Sequence, residues 1–339
     1  MSDPANPSTV PPQARFFQWM LGFSSMMVSH ALVKTGVIAQ LADHPQAVDT
    51  LASACGVHRE VLFRALRFAR AVDIIAQEGD HYVLTALGRV MLIDTPGSLY
   101  NAMLLAAGEP WMRSWQNFAY NLITGESAFE HFMDAPFFDY LEQHPEFGQP
   151  YHQQGSAISL VTDPAIVAAF DFTRFQTVCD IGGGEGMFLK AILQANPYLW
   201  GILYDQTSVV QKHVLGELSG RIEILAGNFF ESVPAADLLI LKAVLHDWPD
   251  EKCALILEQC RRAMQPASRL AIVERVMDEP VNAMNALYDL HMQVVLQGRE
   301  RTEVEFSALL HNAGMKLLRI IPTASPMLPL RIIEAAVKS

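Results

Sequence analysis

The chain has 339 residues, 51% of them hydrophobic and 18% charged, with a net charge of −12 at pH 7. That length suits two domains with a substantial core, and the apolar surplus leaves material for a subunit interface. The acidic balance argues against a nucleic-acid partner, because neutralising phosphates needs clustered Lys and Arg.

Residues 1–12, rich in Pro and Ser with no basic flank, read as a disordered tail and not as a signal peptide. Residues 14–41 carry a helical pattern that is apolar nearly all round, with Phe16, Phe17, Trp19, Met20, Phe23, Met26 and Met27. A helix apolar on every side is buried on every side. With so little chain before it, the expected cover is a second copy, giving a homodimer through the N-terminal domain. Its apolar run Phe16–Val28 is interrupted by Gln18, Ser24 and Ser25 and is too short for a bilayer. The default is therefore a soluble cytoplasmic protein without a membrane partner. Cys55, Cys179, Cys253 and Cys260 lack zinc-ligand spacing, and no metal is expected.

Residues 47–92 have a three-helix-plus-hairpin rhythm. One helix opens at Asp49, Gly56-Val57 marks a turn, a second helix covers 58–71, and short strands at 74–77 and 82–85 flank Glu78-Gly79-Asp80. This is a winged-helix pattern, usually met in DNA binders. Arg59, Arg64, Arg67 and Arg70 lie among acids with no basic arm, so packing or dimerisation is favoured over 13–95. Residues 96–170 read as a helical connector rich in aromatics, part of which is expected to line an apolar acceptor pocket.

From Phe175 the pattern alternates strand and helix. Thr177–Ile181 is a β-branched run ending beside Asp180, Gly182–Gly186 is a glycine cluster, and Met187–Ala195 is an apolar helix. That is the opening unit of a doubly wound α/β domain over 171–339. The dinucleotide fingerprint would place a third glycine at 187, where Met stands. Further strands are expected at 201–204, 222–226, 237–241 and 270–273, with helices between them. The ends, 316–321 and 331–337, are two strands joined by a Pro-rich loop too short for a crossover helix, so the last strand is antiparallel. The fold class is α/β: a Rossmann-like, doubly wound sheet with an antiparallel last strand, preceded by a mainly α winged-helix domain.

Ligands of open α/β sheets sit beyond the carboxyl ends of the strands. The residues there are Asp180, Gly182–Gly186, Asp205, Asn228-Phe229, Lys242 with Ala243–Trp248, and Glu274. Asp205 suits the two ribose hydroxyls, Asn228 an adenine edge and Phe229 its ring. No basic residue follows the glycines, so the ligand need carry no phosphate.

Together with Leu245-His246-Asp247-Trp248 and Gly298-Arg299-Glu300-Arg301-Thr302, these strings occur in order and at fitting spacing. The chain resembles, over nearly its whole length, the S-adenosylmethionine-dependent O-methyltransferases of the caffeic acid and hydroxyindole type. The resemblance implies S-adenosyl-L-methionine as cofactor. Asp180 would belong to the cofactor site, Gly182 and Gly183 would face the methionine part, Asp205 the ribose, Asn228 and Phe229 the adenine, and Lys242 the methionyl end. It also implies His246 as general base, with Glu274 and Glu300 orienting the imidazole. Trp248, His291, Met292 and Gly155 fall to the aromatic small-molecule acceptor. Asp289-Leu290-His291-Met292 is similar to the string in bacterial phenazine methyltransferases.

The chemistry accounts for these residue types. A phenol with a pKa of about 10 is only roughly one part in a thousand ionised at neutral pH, and a positioned imidazole recovers about 10² to 10⁴ in rate. Two departures stand out. The family commonly has Asp where this chain has Asn228. Many relatives place Met at the position of Gly155, which predicts a roomier pocket for a fused-ring acceptor. Three rival readings are a ligand-sensing winged-helix regulator, a nicotinamide-dependent dehydrogenase, and a methyltransferase-fold enzyme with altered chemistry such as decarboxylation or hydroxylation.

Overall fold

The first helix, Pro12–Lys34, opens with a proline in its first turn, where the missing N–H is no loss. It stops at Thr35 because Gly36 takes φ +79°, a left-handed value that costs other residues. The helix expected over 14–41 is thus two, the second being the single turn Val37–Gln40. The structure is a computed structural model and describes residues 11–95, 97–325 and 328–338. Most of the tail expected over 1–12 lies outside the described residues, and Pro12 belongs to the helix.

Two units divide the chain: one takes residues up to Met112 with His144–Gln154, the other Arg113–Gln143 with Gly155 onward. The segment 96–170, expected as one connector, is therefore shared between them. In the first unit, helices Val48–Cys55 and Arg59–Ala71 pack on a small antiparallel sheet. Its strands are β1 (Gln46–Ala47), β2 (Ile75–Glu78) and β3 (His81–Leu84), in the order β1-β3-β2. The two-residue β1 was not expected, being too short for a periodic signal. Leu51, Leu62, Leu66, Ile74, Ile75, Tyr82 and Leu84 form the core of this winged-helix arrangement, joined by Leu32 and Val33 from the first helix. The outer part of that helix is bare: Phe17 is 65% exposed and Trp19 69%.

The second unit is built on one large sheet. Its strands are β4 (Thr177–Ile181), β5 (Trp200–Asp205), β6 (Ile222–Ala226), β7 (Leu238–Lys242), β8 (Arg269–Met277), β9 (Arg301–Thr302), β10 (Met315–Pro322) and β11 (Leu330–Val337). The order is β10-β11-β8-β7-β4-β5-β6, with β9 pairing only the end of β8. β6, β5, β4, β7 and β8 run parallel, and β11 enters antiparallel between β8 and β10. The antiparallel finish holds.

Alternate residues along each strand face opposite sides. Val178, Leu203, Ile240 and Val273 meet Phe188, Leu189, Ile192 and Leu193 of the Met187–Ala195 helix. Cys179, Ile202, Leu239 and Ile272 meet Cys253, Ile256, Leu257 and Cys260 of the Asp250–Ala263 helix on the other face. Helices do not fill every gap, however. Only one turn, Thr207–Val210, and the 3-10 segment Gly216–Arg221 separate β5 from β6, and β6 reaches β7 through an irregular loop. Gly227 and Asn228 open that loop, and they favour turns over helix.

Candidate active site

Five strand ends of the parallel part converge on one edge. After β4 the glycine loop turns through left-handed φ at Gly182, Gly184 and Gly186. A Cβ on Gly183 would stand 2.8 Å from the Asp180 carboxyl group, and one on Gly182 would stand 2.9 Å from Val244. The loop is therefore closed to side chains, leaving bare backbone for a ligand. Asp205 Oδ2 accepts from Gly184 N at 2.8 Å, so the acid that ends β5 also braces the loop.

Beside it lies a cavity of about 330 Å³ lined by Asp205, Gln206, Gly227, Asn228, Phe229, Phe230 and Trp248. Trp248, expected at the acceptor, lines this cavity: its ring meets Phe230 edge-on at 4.9 Å and Phe229 at 6.2 Å. Asn228 lines the cavity with its amide already engaged. Oδ1 accepts from Phe230 N at 3.0 Å and Nδ2 donates to Glu231 at 3.1 Å. One acidic group among aromatic faces, next to a bare glycine loop, fits a nucleoside.

Under the loop sits a buried charge cluster. Lys242 Nζ lies 2.8 Å from Asp163 Oδ1 and donates to Ser159 Oγ at 2.8 Å. Asp180 Oδ2 is buried with no partner, and burial pushes the carboxyl up to about 7 while Lys242 opposes the rise. Ser159 and Asp163 are one turn apart on the Pro145–Ala169 helix, and Gly155 stands one turn before Ser159. A Cβ on Gly155 would meet nothing within 4 Å.

β7 then turns sharply. Ala243 takes φ +54°, and one 3-10 turn, Leu245–Asp247, carries His246. Glu274, on the neighbouring β8 and only 1% exposed, holds both the backbone and the ring of this turn. Its Oε1 accepts from the backbone N–H of Val244 and Leu245 at 3.0 Å and of His246 at 3.4 Å. Its Oε2 lies 2.7 Å from His246 Nδ1, and Asp247 Oδ1 lies 3.3 Å from Nε2. The Nδ1 contact lies off the N–H direction, so it is an ion pair by distance and not an in-line hydrogen bond. Burial disfavours a charged ring, but Glu274 and Asp247 outweigh it, and the His246 pKa is raised well above 6.5. Burial would raise Glu274 too, yet the imidazole prevails and lowers it.

Glu300 brings a third carboxylate near His246: one atom each of His246, Glu274 and Glu300 lies within 4.8 Å of the others. It is 4% exposed, so it is no surface charge, and burial raises its pKa. The strap that carries it grips the turn. A Cβ on Gly298 would stand 1.9 Å from His246 O, Arg299 N donates to that same oxygen at 2.9 Å, and Arg301 donates to Leu245 O at 2.8 Å and Trp248 O at 2.9 Å.

On the Ala283–Leu296 helix, His291 Nδ1 accepts from Trp115 Nε1 at 3.2 Å with the rings stacked. Burial pulls its pKa down to about 4, so the ring is neutral at pH 7. Met292 follows it, partly buried. Sequence reasoning missed Ser159, Asp163, Arg275 and the gripping role of Arg301. Asp163 left a faint signal, an acid on an otherwise apolar helical stretch.

A doubly wound sheet with a cavity, a bare glycine loop and a carboxylate-flanked imidazole beyond adjacent strands defines an α/β fold of the kind that binds a nucleoside cofactor at its strand ends. A family model for the O-methyltransferase domain matches residues 115–316. The chain is 34% identical to phenazine O-methyltransferase PhzM of Lysobacter antibioticus, covering 99% of both chains. The mitomycin 7-O-methyltransferase MmcR structure superposes with TM-score 0.92 at 31% identity, covering 96% of this chain and 98% of that one. CalO1, a methyltransferase in calicheamicin biosynthesis solved with S-adenosylhomocysteine, superposes with TM-score 0.82 at 28% identity, covering 96% and 98%. The chain belongs to the O-methyltransferase family, and it is an S-adenosylmethionine-dependent O-methyltransferase.

Proposed function

We propose that this enzyme methylates a hydroxyl, phenolic or N-hydroxyl, of a fused-ring aromatic such as a phenazine in secondary metabolism, with His246 as general base. The observation that carries this reading is the imidazole at the end of β7, set against two buried carboxylates and beside the glycine loop. The relatives are named for phenazine, mitomycin and aminohydroxybenzoate acceptors, all cyclic and conjugated.

Gly182 and Gly183 leave room for the methionine part of the cofactor, with Asp180 and the Asp163–Lys242 pair beneath it. Asp205, Asn228, Phe229 and Trp248 surround the nucleoside. When bound, the sulfonium supplies an electrophilic methyl group. His246 would take the proton of the acceptor hydroxyl, and Glu274 and Glu300 would stabilise the imidazolium that forms. His291 and Met292 face the acceptor, and Gly155 leaves space beside it. The enzyme works as a homodimer in which a second copy covers the exposed face of the Pro12–Lys34 helix.

Incubation with methyl-labelled S-adenosylmethionine and a panel of one-ring and fused-ring phenols and N-hydroxy heterocycles tests the reading. Label is expected on fused-ring hydroxyls, with Gly155→Met shifting preference towards one-ring phenols. Transfer to one-ring phenols alone by the parent enzyme would contradict it.

A further inference from the structure

Glu300 is the odd member of the His246 constellation. Glu274 is tied down by three backbone N–H groups, whereas no backbone donor among the described residues reaches the Glu300 carboxylate. Its Oε1 accepts from Arg275 Nη1 at 3.0 Å, and its Oε2 is buried without a hydrogen-bond partner. The charged groups around it are Arg275 and Glu274 from β8 and His246 from the 3-10 turn. Asp289, from the Ala283–Leu296 helix, takes the Glu300 backbone N–H at 2.9 Å and not its side chain. Arg299 and Arg301, its neighbours in the strap, are committed to Glu305 and Asp250.

Arg275 is itself unusual. It is buried, and its guanidinium carbon lies over the Tyr288 ring of the Ala283–Leu296 helix, 3.7 Å from the ring centre. A stacked, weakly hydrated guanidinium is the cation best suited to such a place. A carboxylate this deeply buried, with another carboxylate nearby, would otherwise take up a proton. A neutral Glu300 would no longer stabilise positive charge on His246.

The geometry points to Arg275 as a positioning residue: clamped on Tyr288, it fixes the Glu300 carboxylate as an anion against His246. It acts through Glu300 and touches neither cofactor nor acceptor in this role. Because Tyr288 stands in the same helix as His291 and Met292, the clamp also joins the acceptor-facing helix to the base. The inference rests on reading His246 as the base.

The test is the pH–rate profile of Arg275→Met beside those of the parent, Arg275→Lys and His246→Ala. Arg275→Met is expected to lose about tenfold or more in kcat near neutral pH. The loss should shrink as pH rises and Glu300 ionises unaided, while affinity for S-adenosylmethionine stays within about twofold. Arg275→Lys, which keeps the charge, should recover most of the rate. Parent-like rates in Arg275→Met, or a loss equal at every pH, would overturn the role. Should Arg275→Met not fold, Arg275→Met/Glu300→Gln leaves no buried charge unpaired. It should match Glu300→Gln in rate, and a further tenfold loss would overturn the role. An active His246→Ala would remove the base reading itself, whereas an inactive His246→Ala beside a parent-like Arg275→Met would remove only this inference.

Discussion

Glu274 and Asp247 together outweigh the burial that opposes charge on His246, and its pKa is raised above the ordinary histidine value. If His246 is the base proposed above, its neutral ring does the work, so kcat/KM for a neutral phenol should rise with pH. Its acidic limb should be centred above 6.5, the ordinary histidine value. A limb at or below that value, read from initial rates across the pH range, would contradict the pairing. The same shifts have a stability consequence. The raised His246 pKa contributes stability that is complete below 6.5 and fades as pH climbs through its folded value. The lowered Glu274 pKa contributes stability that is complete above 4.5 and fades as pH falls through its folded value. Asp180 works the other way from Glu274. With its carboxyl pushed up from 3.8 to about 7, stability is lost as pH rises across that interval. Asp180→Asn should therefore gain in Tm relative to the parent between about pH 5 and about pH 8, by calorimetry; a constant difference would refute the burial effect. His246, Glu274, Glu300 and Asp205 were picked out because each belongs to a short local string of the sequence, three of them at or near the ends of expected strands. Asp163 and Arg275 were not, because their partners lie 79 and 25 positions away and no local pattern joins them.

The strap from Gly298 to Thr302 shows what a short string can do once folded. Its glycine is required by the approach of the His246 carbonyl and not by turn geometry, and Arg301, 1% exposed, ties down the carbonyls of Leu245 and Trp248 on either side of His246. Gly298→Ala puts a methyl 1.9 Å from His246 O, so the turn must move. A fall of about 10² in kcat is expected, since an ångström of misplacement costs that much, with cofactor affinity largely kept. Parent-like kcat in a folded variant would show that the turn tolerates displacement. The sheet was readable strand by strand, since alternating burial on two faces leaves near-continuous apolar runs. The missing helix between β6 and β7 was not, because the rule of alternating strand and helix overrode the turn residues Gly227 and Asn228.

For the molecule as a whole, the exposed face of the Pro12–Lys34 helix is the feature that a lone chain leaves unexplained. Phe16, Phe17, Trp19, Met20 and Phe23 are each more than half exposed, and apolar area of that kind marks an interface. No helix among the described residues is long and apolar enough to cross a membrane. Replacing Phe17 and Trp19 by Ser removes two side chains whose burial is worth about 1.5–3 kcal/mol each, which weakens association by roughly 10² or more. Light scattering should then report a dimeric parent and a monomeric double variant. A monomeric parent would contradict the interface. The apolar pattern of this helix was plain in the sequence, but what covers its outer part is not encoded by any pattern within one chain.

The role of His246 is tested most directly by measuring His246→Ala twice: methyl transfer to an acceptor turned over by the parent, and S-adenosylmethionine binding by calorimetry. A loss of about 10² or more in kcat with unchanged cofactor affinity is the predicted result. Turnover close to the parent's would contradict the account, as would a loss of cofactor binding that explains the whole effect.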